Sequence, residues 1–277
     1  MKKRRKHRRR ALLLLTVLIA AAAYFVYDSA SNIEVTHYEL KSEKLPDEFD
    51  GFRIVQLSDF HGADFAEELS ELVRAETPDV IVITGDILTE KTELPQVEAL
   101  LRSISDIAPV YFISGNHDFG SGAIDEISEM LADYGVRYLR NGYVSIEKDG
   151  ERIVLAGVED PNSYADMPSP DEVAERLRAE YPEDYAVLLG HRNYWAEEYP
   201  ALPVDLILCG HAHGGLIRLP GVGGLISTDR TLFPDYDGGM YDCGDYTLIV
   251  SRGLGNSVSV PRLFNRPELV CVTLSAE

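Results

Sequence analysis

Asp59-Phe60-His61, Gly85-Asp86, Gly115-Asn116-His117-Asp118, Gly190-His191 and Gly210-His211-Ala212-His213 carry side chains of the kinds that can ligate metal ions, and a glycine-rich stretch follows from Gly214. Five of the seven histidines in the chain fall inside these short segments. The segments come directly after apolar runs such as Ile54-Val55-Gln56-Leu57, Val80-Ile81-Val82-Ile83 and Leu206-Ile207-Leu208-Cys209. Ionisable groups at the ends of buried strands are costly unless something positive sits among them.

The donor set suits two adjacent divalent cations. Such a pair, about 3.5–4 Å apart, repels itself and needs a bridging anion, with neutral imidazoles to complete the two shells. Asp59 and His61 alternate by two, which on a strand puts them on one face. Asp86 ends the next apolar run, where one carboxylate can bridge both ions. Asn116 offers a neutral oxygen, which adds no charge to repel a phosphoryl group. His191, His211 and His213 supply nitrogen. Glycines at 85, 115, 190 and 210 let the backbone turn sharply and approach closely.

The elements that must position these groups are legible as a βα rhythm. Apolar runs predict strands at 52–57, 80–84 and 110–114, and amphipathic spacing predicts helices at 65–76, 95–106 and 124–134. Short buried strands alternating with helices imply an α/β domain with a mixed sheet. Residues 143–147 and 152–158 flank Lys148-Asp149-Gly150-Glu151, a hairpin signal. A helix over 170–180 and strands at 185–189, 204–209, 246–251 and 269–274 complete the pattern. Residues 33–40 alternate as an edge strand would. Residues 218–241, rich in Gly and aromatics, read as a long loop of the kind that often carries function. Arg218 and Arg230 within it are candidates to meet a substrate phosphate. Tyr194 and Trp195, just after His191, could wall the site or pack under the helix that follows them, and packing is the favoured reading. Cys209 and Cys271 lie in apolar runs, and the three cysteines form no disulfide framework.

The net charge of −20 hides an asymmetry: the first ten residues carry eight Lys or Arg and no acid, which leaves 18 basic and 46 acidic residues, net −28, in the rest. So acidic a body does not favour polyanions, so no nucleic-acid partner is expected. Residues 11–27 are uncharged, directly behind the basic leader 1–10, and fit a transmembrane signal-anchor at the short end of the usual length, favoured over a cleaved signal peptide. Positive charge stays in the cytoplasm, so the body belongs outside it. A lead-in over 28–50 then precedes one domain over 51–277. The expected localisation is single-pass in the cell membrane, and the protein is expected to be a monomer.

In their order and spacing, the motifs resemble the calcineurin-like metallophosphoesterase family. They are most similar to its membrane-associated bacterial subgroup, in which a segment like Leu45-Pro46 to Gly51 leads into Leu57-Ser58-Asp59-Phe60-His61. The resemblance covers residues 45 to about 255. It implies a sandwich of two mixed β-sheets flanked by helices. It also implies one metal on Asp59, His61, Asp86 and His213, and a second on Asp86, Asn116, His191 and His211. A metal-bridging hydroxide would attack phosphorus, His117 would protonate the leaving alkoxide, and Asp118 would orient that imidazole. Two divalent ions, Mn, Fe or Zn, are the implied cofactors. A phosphoester is the implied substrate, foremost a phosphodiester of a lipid or envelope metabolite. Hydrolysis of phosphomonoesters and a non-catalytic metal-binding envelope scaffold are the alternatives.

Overall fold

The structure is a computed structural model that describes residues 2–163, 167–227, 231–258 and 260–277. One long helix, α1 (Lys2–Ser31), leads into a strand, β1 (Glu34–Ser42). The first βα succession is β2 (Phe52–Leu57), α2 (Ala66–Ala75), β3 (Val80–Thr84), α3 (Leu94–Ile104) and β4 (Val110–Ile113). A short α4 (Asn116–Gly120), α5 (Ile124–Asp133) and β5 (Arg137–Tyr138) close this half. The second half begins with a hairpin of β6 (Tyr143–Lys148) and β7 (Glu151–Gly157). It continues through α6 (Pro170–Glu180), β8 (Ala186–Leu189), α7 (Trp195–Glu198) and β9 (Leu206–Cys209). Two-residue strands β10 (Arg218–Leu219) and β11 (Gly223–Gly224) follow. Then come β12 (Gly239–Asp242), β13 (Thr247–Val250) and β14 (Glu268–Ala276).

These strands form two six-stranded mixed sheets, ordered β1-β14-β2-β3-β4-β5 and β12-β13-β9-β8-β7-β6. In the first, β2 to β5 run parallel while β14 is antiparallel to β2 and parallel to β1. In the second, β13, β9, β8 and β7 run parallel, with antiparallel β12 and β6 at the edges. The β6–β7 turn places Asp149 and Gly150 at φ 53° and 98°, as a two-residue type I′ hairpin requires.

The parallel strands are apolar on both faces because both faces are covered. Ile54, Val80, Val82 and Ile113 of one sheet meet Ile153, Leu155, Val187, Leu189 and Leu208 of the other in a central core. The alternate residues Val55, Leu57, Ile81, Ile83 and Phe112 turn outward onto α2, α3 and α5. On the far side, Val154, Ala156, Leu188 and Ile207 pack against α6 and Trp195. Trp195 is 2% exposed and belongs to this core, as its sequence context suggested. Each such side chain contributes about 1.5–3 kcal/mol of burial free energy. The chain is thus a four-layer α/β sandwich of two mixed sheets with helices outside.

Two features extend beyond what periodicity marked. Helix α1 continues past residue 27 to Ser31 and is long and apolar enough over Arg9–Ser31 to cross a membrane. The segment after it is ordered as β1, an edge strand along β14 from Glu34↔Glu268 to Ser42↔Ala276.

Candidate metal centre

The candidate ligands stand beyond the carboxyl ends of parallel strands in both sheets, where α/β folds bind their ligands. Asp59 follows β2, Asp86 follows β3 and Asn116 follows β4, while His191 follows β8 and His211 and His213 follow β9. The first two loops continue the pairing of their strands: Asp59 N–H donates to Gly85 O, His61 N–H to Asp86 O and Gly62 N–H to Ile87 O, at 3.0–3.1 Å.

Five of these residues adopt left-handed backbone: Asp59 (φ 51°), His61 (47°), Asp86 (53°), His211 (68°) and His213 (50°). Each such non-glycine residue costs on the order of 1–3 kcal/mol and persists where the surroundings over-determine it. The turns aim the side chains at a common centre. Two glycines make room: a Cβ at Gly115 would strike the Asp86 carboxylate, and one at Gly210 would strike Ser58 and Asp59.

Two groups of potential metal-binding atoms result, Asp59–His61–His213 and Asp86–His191–His211, with all donor atoms of a group within 4.8 Å. One oxygen joins them. Asp86 Oδ2 lies 3.1 Å from His191 Nε2 and 3.8 Å from His61 Nε2, while Asp86 Oδ1 accepts the His117 N–H at 2.7 Å. In the first group, His213 Nε2 is 3.3 Å from Asp59 Oδ1 and 3.1 Å from His61 Nε2.

Hydrogen bonding at the outer ring nitrogens sets the donors. His191 Nδ1 donates to the Thr84 carbonyl at 2.9 Å, so in the neutral ring the lone pair falls on Nε2. His61 Nδ1 is 2.9 Å from Thr89 Oγ1, which turns its Nε2 inward. Buried Asn116 Oδ1 has no hydrogen-bond partner, and buried His191 Nε2 has none but the Asp86 carboxylate 3.1 Å away. An unpartnered buried acceptor and imidazoles crowded against two carboxylates are a cost that divalent cations offset, so the donor set fits a metal pair.

Electrostatics point the same way. Burial pushes His61 down to about 3, against the pull of Asp86, and holds His213 well below the usual imidazole range. Burial raises Asp59, and Ser58 Oγ–H and the His211 N–H bond its carboxylate. Burial would raise Asp86 too, but the His191 charge outweighs it and holds the carboxyl well below its ordinary value. His191 itself is lifted to about 10, because Asp86 outweighs a burial effect of opposite sign.

His117 stands at the rim of the first group, its ring centroid 5.1 Å from that of His61. Asp118 is placed otherwise than the resemblance implied. Its oxygens accept N–H groups from Gly115 at 2.7 Å, Asp86 at 2.8 Å and Ile87 at 2.9 Å, and these bonds run to backbone amides rather than to the His117 ring. It sits in the first turn of α4, where a carboxylate is drawn to free amides. Arg218 also points elsewhere: Nη1 lies 3.2 Å from Asp237 and donates to the Gly214 carbonyl at 2.9 Å, beside a cavity that Asp237 also lines. Arg230 lies outside the described residues.

Two arginines that sequence reasoning passed over reach the centre. Arg192 clamps Asp160 through Nε and Nη2 at 2.5 and 3.0 Å, and Nη1 donates to His211 Nε2 at 3.0 Å. Buried Arg262 donates to His213 Nδ1 at 3.2 Å and to the Arg252 carbonyl at 2.8 Å. Arg192 directly follows His191, a signal that was available, whereas Arg262 carries none. Arg192, Tyr194, His211, Leu232, Phe233 and Tyr236 line a cavity of about 460 Å³ opening beside the second group.

The model of a family described as "Calcineurin-like phosphoesterase" matches residues 52–215. The chain is 32% identical over 262 residues to "Uncharacterized metallophosphoesterase YkuE" of Bacillus subtilis, covering 91% of this chain and 89% of that protein. It is 28% identical to "Phosphodiesterase YaeI" of Escherichia coli, covering 80% and 82%. It is 26% identical to "Transmembrane protein with metallophosphoesterase domain" of Danio rerio, covering 91% of this chain and 59% of that longer protein.

Proposed function

The chain belongs to the calcineurin-like phosphoesterase family, and on that premise we propose that it hydrolyses a phosphodiester of a lipid or envelope metabolite with two divalent metal ions. One observation carries this reading: Asp86 Oδ2 lies within 4 Å of histidine nitrogens from both ligand groups. Asp59, His61, Asp86 and His213 would hold one ion, and Asp86, Asn116, His191 and His211 the other. When bound, Mn, Fe or Zn ions supply an activated water and neutralise charge on the phosphoryl group.

The chain's own residues do the rest. His117, at the rim, holds a proton for the leaving alkoxide. Asp118 acts on the loops rather than on that ring, by fixing the amides of Gly115, Asp86 and Ile87. The planar Arg192 guanidinium, held by Asp160, has N–H groups left over beyond Asp160 and His211 for an oxygen of the substrate phosphate. The cavity beyond it is walled by Tyr194, Tyr236 and Leu232, which gives room for a second substituent on phosphorus. That favours a diester over a monoester, as does the likeness to a protein named a phosphodiesterase.

Helix α1 would anchor the protein, with the basic residues ahead of it in the cytoplasm and the catalytic domain on the other side. The test is turnover of bis-p-nitrophenyl and mono-p-nitrophenyl phosphate by the Mn-loaded full chain. Preference for the diester is expected. Preference for the monoester would make the protein a phosphatase, and no turnover of either would end the proposal.

A further inference from the structure

Residues 264–266 tie three things together. The Phe264 ring packs on Phe25 of α1, with centroids 4.6 Å apart. Arg266 clamps the Asp28 carboxylate of α1 through Nε and Nη2 at 2.8 and 2.7 Å. Between them, Asn265 Nδ2 donates to the carbonyl of the candidate ligand His213 at 2.6 Å. The helix therefore meets the body at the edge that carries the metal groups. Strand pairing agrees: β1 and β14 both begin where β2 ends, and Leu254 and Gly255 donate to the Ser58 and Asp59 carbonyls there.

The same edge presents an apolar rim. Val222 is 65% exposed and Phe233 56%, and with Leu219 and Phe264 they line one cavity, although they come from three separate segments. Leu232 beside them and Val260 in the Phe264 loop are exposed as well. Clustered exposed apolar side chains mark an interaction surface. On α1, Tyr24 and Tyr27 are exposed around Phe25, as aromatic residues at a membrane–water interface are, and Phe25 stands level with Phe264. Phe233 and Leu232 also wall the cavity next to His211 and Arg192.

We propose that the rim of Leu219, Val222, Phe233 and Phe264 lies in the interfacial layer of the bilayer that α1 enters, so that the cavity beside His211 opens among lipid headgroups. The attachment is apolar rather than electrostatic, because the body is strongly acidic. It rests on α1 as a membrane helix, and it narrows the substrate of the proposed activity to phosphodiesters reached at the bilayer surface.

Tryptophan depth measurements on the full chain test this. Trp195 is the single native tryptophan and is buried, so it supplies a constant background. Val222→Trp, Phe233→Trp, Tyr24→Trp and Glu183→Trp are compared in phosphatidylcholine vesicles with and without bromine near the top of the acyl chains. Glu183 precedes β8, at the end of the sheet away from the metal groups. Loss of most of the added emission at positions 222, 233 and 24, with none at 183, is expected. Quenching at 24 alone would overturn the proposal by putting the rim in water. Shielding of position 222 from acrylamide without bromine quenching would overturn it in favour of a second copy or another protein. No quenching at 24 would remove the membrane helix and the proposal with it. Turnover of bis-p-nitrophenyl phosphate, which needs no bilayer, judges the catalytic reading separately.

Discussion

Asp118 accepts the backbone N–H of Asp86 at 2.8 Å, so the carboxylate of one motif holds the loop that presents the carboxylate of another. With Gly115 N–H on the same oxygen and Ile87 N–H on the other, it pins the turns after β3 and β4 together. An amide has a single acceptor oxygen and would turn N–H toward N–H. Asp118→Asn is expected to lower the stability of the metal-free protein by about 2–4 kcal/mol and to weaken metal binding. Denaturant unfolding with and without metal measures both. Unchanged stability would mean that the carboxylate does not hold the loops.

His117→Gln should retain metal and lose rate according to the leaving group. With an alkyl phosphodiester the loss should be about 10²–10⁴-fold, the usual worth of a positioned acid. With bis-p-nitrophenyl phosphate it should be small, because p-nitrophenolate leaves without a proton. Equal losses on both substrates would remove His117 from the role of acid.

Arg192→Ala should raise KM for a diester and lower kcat/KM by about 30–100-fold, the worth of a charge-assisted pair of bonds. Metal affinity should hold or rise, since a cation within 3.0 Å of His211 Nε2 disappears. Kinetics together with metal titration separate the two effects. Loss of metal with KM unchanged would show Arg192 to be structural.

His191 makes a prediction in pH. Its imidazole is lifted to about 10 by Asp86 against the opposing effect of burial, so at neutral pH the metal-free ring is protonated. A metal ion must displace that proton. Affinity at this site should therefore rise with pH until about 10, with one proton released per ion from His191. His61, pushed down to about 3, should release none over the same range. Titration calorimetry in buffers of different ionisation enthalpy counts the protons, and no release at pH 7 would contradict the assignment.

The parts of the molecule that the sequence disclosed are those where pattern and burial coincide. Residues 52–57 and 80–84 read as strands because both faces are apolar, and they fold as β2 and β3 over the same residues. The ligand candidates stood out because Asp and His at strand ends are costly without a partner. The left-handed φ of Asp59, Asp86 and His213 carried no signal, since none is glycine and their strain is imposed by neighbours. Asp118 took its role from the resemblance and Arg218 from its residue type, yet their partners, Gly115 and Asp237, are set by backbone positions that spacing does not encode. Arg262, 49 residues after His213, reaches it only through the packing of the last loop.

Metal content per chain after replacing each carboxylate tests the central claim most directly. Asp86 Oδ2 lies between both histidine sets, whereas Asp59 belongs to one. The wild-type chain, loaded with Mn and freed of excess, should retain two ions, Asp59→Asn one and Asp86→Asn none. Retention of two ions by Asp86→Asn, with the fold intact, would contradict the shared-carboxylate centre from which the proposed function follows.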